Sequence, residues 1–352
     1  MNYIGSKLSL MDFLEQSIRQ VIPKDNNLTF CDLFAGTGAV GIHFKKLGYK
    51  IIANDIQYYS YVLNRHYVGN HKPLKFKKLQ GEIKNLKKSK ITERKNIVCE
   101  YLQNLEGIDG FVYQNYCPNH TTGEQRLYFT SANGKKCDAI REKIEYWHKQ
   151  KLINDDEYFY LLAALLEAMD KHANTASVYG AFLKKFKKSA DKSLSLQPLP
   201  LYENDNDHKI FNADVNHIIK EIAPDILYLD PPYNTRQYSA NYHVLETIAR
   251  NDKPQVKGKT GLRDWSEQKS DYSSRSKVKQ AFADLIKNAK AKYIFLSYNN
   301  EGLMSLNDIK EIMGSRGKYG YFTQNHNRFK ADSNRDYLAD KTTEYLHYVV
   351  CK

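Results

Sequence analysis

The sequence predicts an α/β chain built around an open, largely parallel sheet, and three strand ends predict it. The short apolar strand Leu28-Thr29-Phe30-Cys31 runs into Asp32-Leu33-Phe34-Ala35-Gly36-Thr37-Gly38-Ala39-Val40-Gly41, and a helical stretch through Phe44 and Leu47 then stops at Gly48. The next strand, Lys50-Ile51-Ile52-Ala53, ends at Asn54-Asp55. Far downstream the apolar run Asp225-Ile226-Leu227-Tyr228-Leu229 halts at Asp230-Pro231-Pro232-Tyr233. In open α/β sheets the carboxyl ends of the strands are where ligands bind.

Each of these ends carries chemistry. Glycines 36, 38 and 41 have the spacing G-x-G-x-x-G, which lets backbone approach a ligand closely at a strand-to-helix turn. Here an aspartate opens the turn; it repels phosphate but can accept a hydrogen bond from an ammonium group. Asp55 stands about 20 residues past the first glycine, where an acid binds ribose hydroxyls. Asp230, the Pro231 carbonyl and the Tyr233 ring suit one task, holding a flat heterocycle by its amino group while that nitrogen is attacked. The plainer readings are a strand closed by a Pro-fixed turn, with Asp230 as a cap and Tyr233 as a core aromatic.

Along the chain these features form a core split by an insert. Residues 1–85 read as helix, strand, glycine loop, helix, strand and a Tyr-rich helix from Tyr58 to Tyr67. The lysine-rich stretch Lys72 to Lys95 then ends the αβ rhythm. The insert, 86–204, is expected to be largely helical and breaks that periodicity. Within it, Phe111 to Thr130 is aromatic and turn-rich, a hairpin or an irregular loop. Ile140, Ile144 and Trp147 lie at helical spacing. Asn154 caps a further helix, with Glu157 closing a capping box. Positions 158, 161, 162, 165, 166 and 169 form one apolar stripe, which is packing and not a cofactor site. Strand periodicity returns at Lys209, so the core resumes over 205–352.

Composition narrows the partners. With 53 Lys+Arg against 40 Asp+Glu, the net charge of +13 fits a polyanion, though a basic surface also serves solubility. The 5 cysteines form no C-x-x-C pair and the 11 histidines show no ligand spacing, so no metal site is expected. Unpaired, scattered cysteines and an opening MNYIGSKLSL without a long apolar core lead us to expect a cytoplasmic chain, neither secreted nor membrane-spanning.

On these residues the chain resembles the D12 class of N6-adenine DNA methyltransferases. Asn2-Tyr3-Ile4-Gly5-Ser6-Lys7 is similar to the N-terminal motif that closes over the cofactor's methionine end in that class. Asp32 to Gly38 matches its S-adenosylmethionine loop, Asp55 its ribose-binding acid, and Asp230 to Tyr233 its catalytic tetrapeptide. Asn212-Ala213-Asp214 stands where the class carries an Asp near the cofactor adenine; a helix N-cap is an equally natural role for Asp214. Phe295 to Gly302 resembles the strand and turn that follow catalysis, and Glu344 to Val350 the last strand. The resemblance covers residues 1 to about 70 and 205 to 352.

The resemblance implies a Rossmann-like class I methyltransferase sheet over 1–85 and 205–352, with 86–204 as an inserted target-recognition region. It implies S-adenosylmethionine bound by Tyr3, Lys7, Asp32, Phe34, Gly36, Gly38, Asp55, Asp214 and Asp230. Catalysis falls to Asp230, Pro231 and Tyr233, on N6 of an adenine flipped out of double-stranded DNA. A restriction endonuclease is an implied companion that activity does not require. An N4-cytosine methyltransferase and a non-catalytic nucleic-acid-binding protein on a decayed methyltransferase fold remain the alternatives. Among possible base readers the insert offers Asn115, Asn119, Arg126, Asn133, Lys135 and Lys136. Lys253 to Lys279, which includes Arg263, reads as a phosphate-binding or merely solvated loop.

Overall fold

The structure, a computed structural model, describes residues 5–24, 27–118, 125–327 and 341–352. It divides into two compact units. One, the sheet unit, comprises Gly5–Asn64, Asn204–Gln237 and Glu267–Lys352; the other, largely helical, takes in Arg65–Glu203 and Tyr238–Ser266.

The sheet unit has seven strands: β1 (Thr29–Asp32), β2 (Lys50–Asn54), β3 (Lys209–Phe211), β4 (Ile226–Leu229), β5 (Tyr293–Asn299), β6 (Gly317–Asn327) and β7 (Lys341–Cys351). Their order is β3-β2-β1-β4-β5-β7-β6. The first five run parallel, with Cys31 beside both Ile52 and Leu227, while β7 lies antiparallel to β5 and β6. Strand order therefore reverses between β1 and β4, and their carboxyl ends meet at a topological switch point. This is the Rossmann-like sheet expected. β4 is buried along its whole length, as a central parallel strand covered on both faces must be. One face packs Cys31, Leu227, Leu229, Ile294 and Leu296 on the helices Val278–Asn288 and Leu306–Gly314. On the other, Phe30 stacks on Phe44 with ring centroids 3.9 Å apart and meets Tyr228 at 6.1 Å.

In the helical unit the Asn154 capping box forms as expected and starts the helix Asp155–Lys171. Its burial exceeds a stripe: Phe159, Ala163, Ala164 and Ala168 are buried along with the six apolar positions, so the helix is enclosed nearly all round. Ile91–Gln103 is helical although it opens inside the lysine-rich stretch; Glu93 accepts the Lys90 N–H at 3.2 Å and starts it.

The segment expected as a hairpin or loop contains a helix instead, Phe111–Tyr116. The Asp138 carboxylate accepts the Val112 and Tyr113 N–H groups, both at 2.9 Å, and caps that helix from a distant part of the chain.

The described insert residues offered as possible base readers are engaged with other parts of the same unit, two of them, Arg126 and Asn133, in buried positions. Arg126 is buried and donates to the carbonyls of Asn115, Gly258 and Lys259. Asn133, also buried, donates to Ala190 and Lys192 and accepts from Leu194 N–H. Asn115 bonds the Phe111 carbonyl, Lys135 pairs with Asp109, and Lys136 donates to the Gln103 and Leu105 carbonyls. Asn119 lies outside the described residues. In the basic loop Arg263 is likewise buried and held by Asp252, so it is not a free phosphate ligand. Among the described residues no helix is long and apolar enough to cross a membrane.

Candidate active site

Both predicted strand ends come together at the switch point. After β1 the chain turns at Gly36 (φ +50°) and Gly38 (φ +84°), left-handed values that glycine adopts without strain. Space also restricts the second position, because a Cβ on Gly38 would stand 2.8 Å from Asn64 Oδ1. Asn64 Nδ2 in turn donates to the Gly36 carbonyl at 3.0 Å.

The ends of β1, β2 and β3 are tied by Asn54, which donates to the Leu33 and Ala213 carbonyls and accepts the Ala213 N–H. Neither asparagine stood out in the sequence; each acts through a loop that is distant in the chain. Asp55 is turned toward the glycine loop, with Oδ2 accepting Gly36 N–H and Oδ1 accepting Gln57 N–H, both at 2.8 Å. Phe34 sits edge-on to Tyr272 with centroids 5.0 Å apart.

Asp32 is buried, and its Oδ1 has no hydrogen-bond partner among the described residues. Burial pushes its carboxyl well above the usual carboxylate range, and the negative charges of Asp230 and Asp55 add to the rise. A buried acceptor oxygen without a donor is uncommon and costly, so such an atom points to a missing cationic or hydrogen-bonding partner. Asp214 is exposed and caps Val215–Ile218, its Oδ1 accepting Asn216 and His217 N–H at 2.9 and 3.2 Å.

At the end of β4, Asp230 enters a buried polar cluster. Its Oδ1 accepts the Tyr233 hydroxyl at 2.7 Å and lies 3.2 Å from Lys7 Nζ. Oδ2 accepts no hydrogen bond from the described residues, and the side chain stays 17% exposed. Lys7 Nζ also reaches Glu344 Oε1 at 2.8 Å and donates to the Tyr233 hydroxyl. Ser297 Oγ donates to the same Glu344 oxygen at 2.7 Å, and the Tyr233 hydroxyl lies 2.8 Å from it.

Burial lifts Asp230 to about 6; Lys7 pulls it down and Glu344 pushes it up. For Lys7, burial opposes the charge, but Asp230 and Glu344 outweigh it and the ammonium is held more firmly than usual. Glu344 is also opposed by burial, yet Lys7 and three hydrogen bonds hold it below its ordinary value. The Tyr233 ring is braced edge-on by Tyr298 at 5.1 Å, and its carbonyl accepts Leu303 N–H at 3.1 Å.

The structure thus assembles Lys7, Asp32, Phe34, Gly36, Gly38, Asp55, Asp230, Pro231 and Tyr233 at one sheet edge, with Asp214 on its exposed margin; Tyr3 lies outside the described residues. Glu344 and Ser297 were not anticipated. Their signal was one acid and one small hydroxyl in otherwise apolar or aromatic strands, and only the β5–β7 register brings them together.

A model of the D12 class N6 adenine-specific DNA methyltransferase family matches residues 3–312. The Type II methyltransferase M.NlaIII of Neisseria lactamica is 49% identical over 99% of this chain and 98% of its own length. M.CviAII of Paramecium bursaria Chlorella virus 1 is 35% identical over 99% and 97%. M.FokI of Planomicrobium okeanokoites is 38% identical over 99% of this chain, which spans only 52% of that enzyme. Among solved structures, a SAM-dependent methyltransferase from Agrobacterium tumefaciens overlaps 98% of this chain and 62% of its own at 10% identity, with a TM-score of 0.32. The fold assignment rests on strand order and not on that loose overlap.

Proposed function

The chain belongs to the D12 class of N6 adenine-specific DNA methyltransferases, and from that premise we propose that it methylates N6 of an adenine flipped out of double-stranded DNA. S-adenosylmethionine supplies, when bound, a methyl group already activated by a positively charged sulfur. The observation that carries the proposal is the state of Asp230, fixed through Oδ1 while Oδ2 faces no protein donor among the described residues. An amino group is the donor such an oxygen lacks.

The N6 lone pair is delocalised into the adenine ring, which makes the amine a poor nucleophile. Asp230 Oδ2 and the Pro231 carbonyl take its two N–H groups and favour a pyramidal nitrogen with its lone pair aimed outward. Tyr233 offers its ring for stacking, with the hydroxyl end already tethered. The protein's contribution is orientation and electrostatic stabilisation. An amine inside a stacked duplex is out of reach, so the base must leave the helix.

The residues at the glycine loop fit the cofactor. The orphaned Asp32 Oδ1 suits its ammonium group, Asp55 its ribose, and the Gly36–Gly38 turn admits close approach. The roles of Lys7, Phe34 and Asp214 at its margin belong to the same proposal. The similarity to Type II methyltransferases supports a place as the modification enzyme of a restriction-modification system, with activity independent of any endonuclease.

The test is methyl transfer from labelled S-adenosylmethionine to duplex DNA by the purified full chain, with the product nucleosides separated. N6-methyladenine is expected. N4-methylcytosine would move the chain to the other amino-methylating class, and cofactor binding without incorporation on any duplex would favour a non-catalytic binding protein.

A further inference from the structure

Two buried carboxylates and one ammonium stand at the end of β4 and β7, and their geometry is unequal. Lys7 Nζ lies 2.8 Å from Glu344 Oε1 but 3.2 Å from Asp230 Oδ1. Lys7 and Ser297 donate to that single oxygen of Glu344, and the one Tyr233 hydroxyl proton is shared between it and Asp230 Oδ1. We propose that Glu344 is a positioning residue for methyl transfer: it is the nearer of the two counterions of Lys7 and shares that ammonium, so that Lys7 does not pair with Asp230 alone. Asp230 is thereby held through Oδ1 alone, and Oδ2 stays free and negative toward the target amine. This rests on the catalytic role proposed for Asp230.

Burial explains why the division matters. In a low-dielectric setting a lone Lys7 beside a lone Asp230 would form a neutral pair, a weak acceptor for an incoming N–H. The second carboxylate prevents that collapse. Glu344 can do so because it is itself secured: the strand register sets it diagonally across from Ser297, which pairs with Leu346, and both side chains fall on one face. Among the described residues, the charged and titratable groups around Asp230 are Lys7 from the N-terminal turn, Asp32 at the end of β1, Tyr228 on β4, Tyr233 after it and Glu344 on β7. Only Lys7 is cationic among them. Removing Glu344 therefore hands its whole charge to Asp230.

Glu344→Gln keeps the size and an acceptor oxygen but removes the charge. It should lower kcat at least about tenfold and move the acid limb of the kcat profile down by about one pH unit, because Asp230 loses a like charge and gains the cation. Glu344 is assigned no contact with the cofactor and reaches it only through Lys7, so any loss of cofactor affinity should be smaller than the loss in kcat. A carbon-13 titration of the Asp carboxyls in the cofactor-free protein reads the same downward shift at Asp230 without any substrate. It therefore remains readable even if the wild-type chain proves inactive on DNA. A role confined to packing would lower stability and leave both titrations in place.

Wild-type kcat with unmoved titrations in a folded Glu344→Gln protein overturns the proposal. Should that variant fail to fold, Lys7→Gln and Lys7→Gln/Glu344→Gln decide, since the double variant leaves no unpaired buried ion of this pair. Lys7→Gln should raise the Asp230 titration and the added Glu344→Gln should bring it back down. An identical titration in the two rules out Glu344.

Discussion

Arg126 in the helical unit and Asp32 in the sheet unit are both buried charged residues, yet they are used in opposite ways. The Arg126 guanidinium is committed to three backbone carbonyls, those of Asn115, Gly258 and Lys259. Asn133 and the Asp138 carboxylate serve the backbone similarly. In the sheet unit Asp32 Oδ1 is buried without a donor among the described residues, and Asp230, held through Oδ1, keeps a partly exposed side chain. Burying a polar atom without a partner costs stability, and where such an atom stands at the carboxyl edge of a parallel sheet a ligand can complete it. The difference separates bracing from binding more sharply than residue type does, since arginine and asparagine looked like the base readers from sequence.

The largest effect that could break this contrast is at Asp230. Asp230→Ala should cut methyl transfer more than about 100-fold, the ~3 kcal/mol carried by one charged hydrogen bond in a transition state. Folding should be preserved or improved. Because Asp230 titrates at about 6, above its unfolded value, its contribution to stability is full below the unfolded pKa and is lost as pH rises through about 6. Thermal melts from pH 7 to 4 should show wild type gaining on Asp230→Ala as pH falls. Near-wild-type turnover in the variant would remove Asp230 from catalysis.

Arg126→Met should do the reverse. With its donors gone, the carbonyls of Asn115 and Lys259 lose the guanidinium and that of Gly258 keeps only the Gly261 N–H, at a cost of about 2–3 kcal/mol. Both tryptophans, Trp147 and Trp265, belong to the helical unit, so urea unfolding followed by their fluorescence reports on that unit. An unchanged midpoint would show that Arg126 is not bracing it, and would return it to the list of residues available to DNA.

Asp32→Asn tests both halves of the contrast in one residue. Loss of a carboxyl whose charged form burial disfavours should raise the melting temperature at pH values where it ionises. S-adenosylmethionine affinity by calorimetry should fall about tenfold or more, ~1.4 kcal/mol, as the ammonium loses its charged acceptor. Higher stability with full affinity would mean that the ligand does not reach Oδ1.

What could be read from the sequence was what is local in the chain. The glycine turn after β1, the stop at Asp230-Pro231-Pro232-Tyr233 and the Asn154–Glu157 capping box each lie within a few residues, and each formed as expected. What was hidden depends on partners far apart. Glu344 and Ser297 meet Lys7 only through strand pairing, and Asn64 reaches the Gly36 carbonyl across 28 residues. The helix Phe111–Tyr116 is capped by Asp138, so its own residues carry no local start signal. Arg126 looked available because an arginine in a polar segment is usually exposed; nothing nearby announces that carbonyls of Gly258 and Lys259 need it.

The smallest effect concerns Asp214, which sits between the two classes. Its Oδ1 is occupied by two helix N–H groups, as a bracing residue's would be, yet it lies on the margin of the proposed cofactor site. It follows Ala213, whose N–H and carbonyl are both bound by Asn54, and Asn212 Nδ2 donates to the Asp55 carbonyl at 2.7 Å. The cap therefore holds a turn joined to Asp55, the residue proposed to meet the ribose. Asp214→Ala should cost about 1 kcal/mol or less in stability and weaken cofactor binding only a few-fold, by loosening that turn. Asp214→Ser retains an oxygen able to accept the same N–H groups and should recover most of both losses. If serine restores stability but leaves affinity as low as alanine does, the carboxylate itself meets the ligand, and Asp214 joins Asp32 and Asp230 as a binding group.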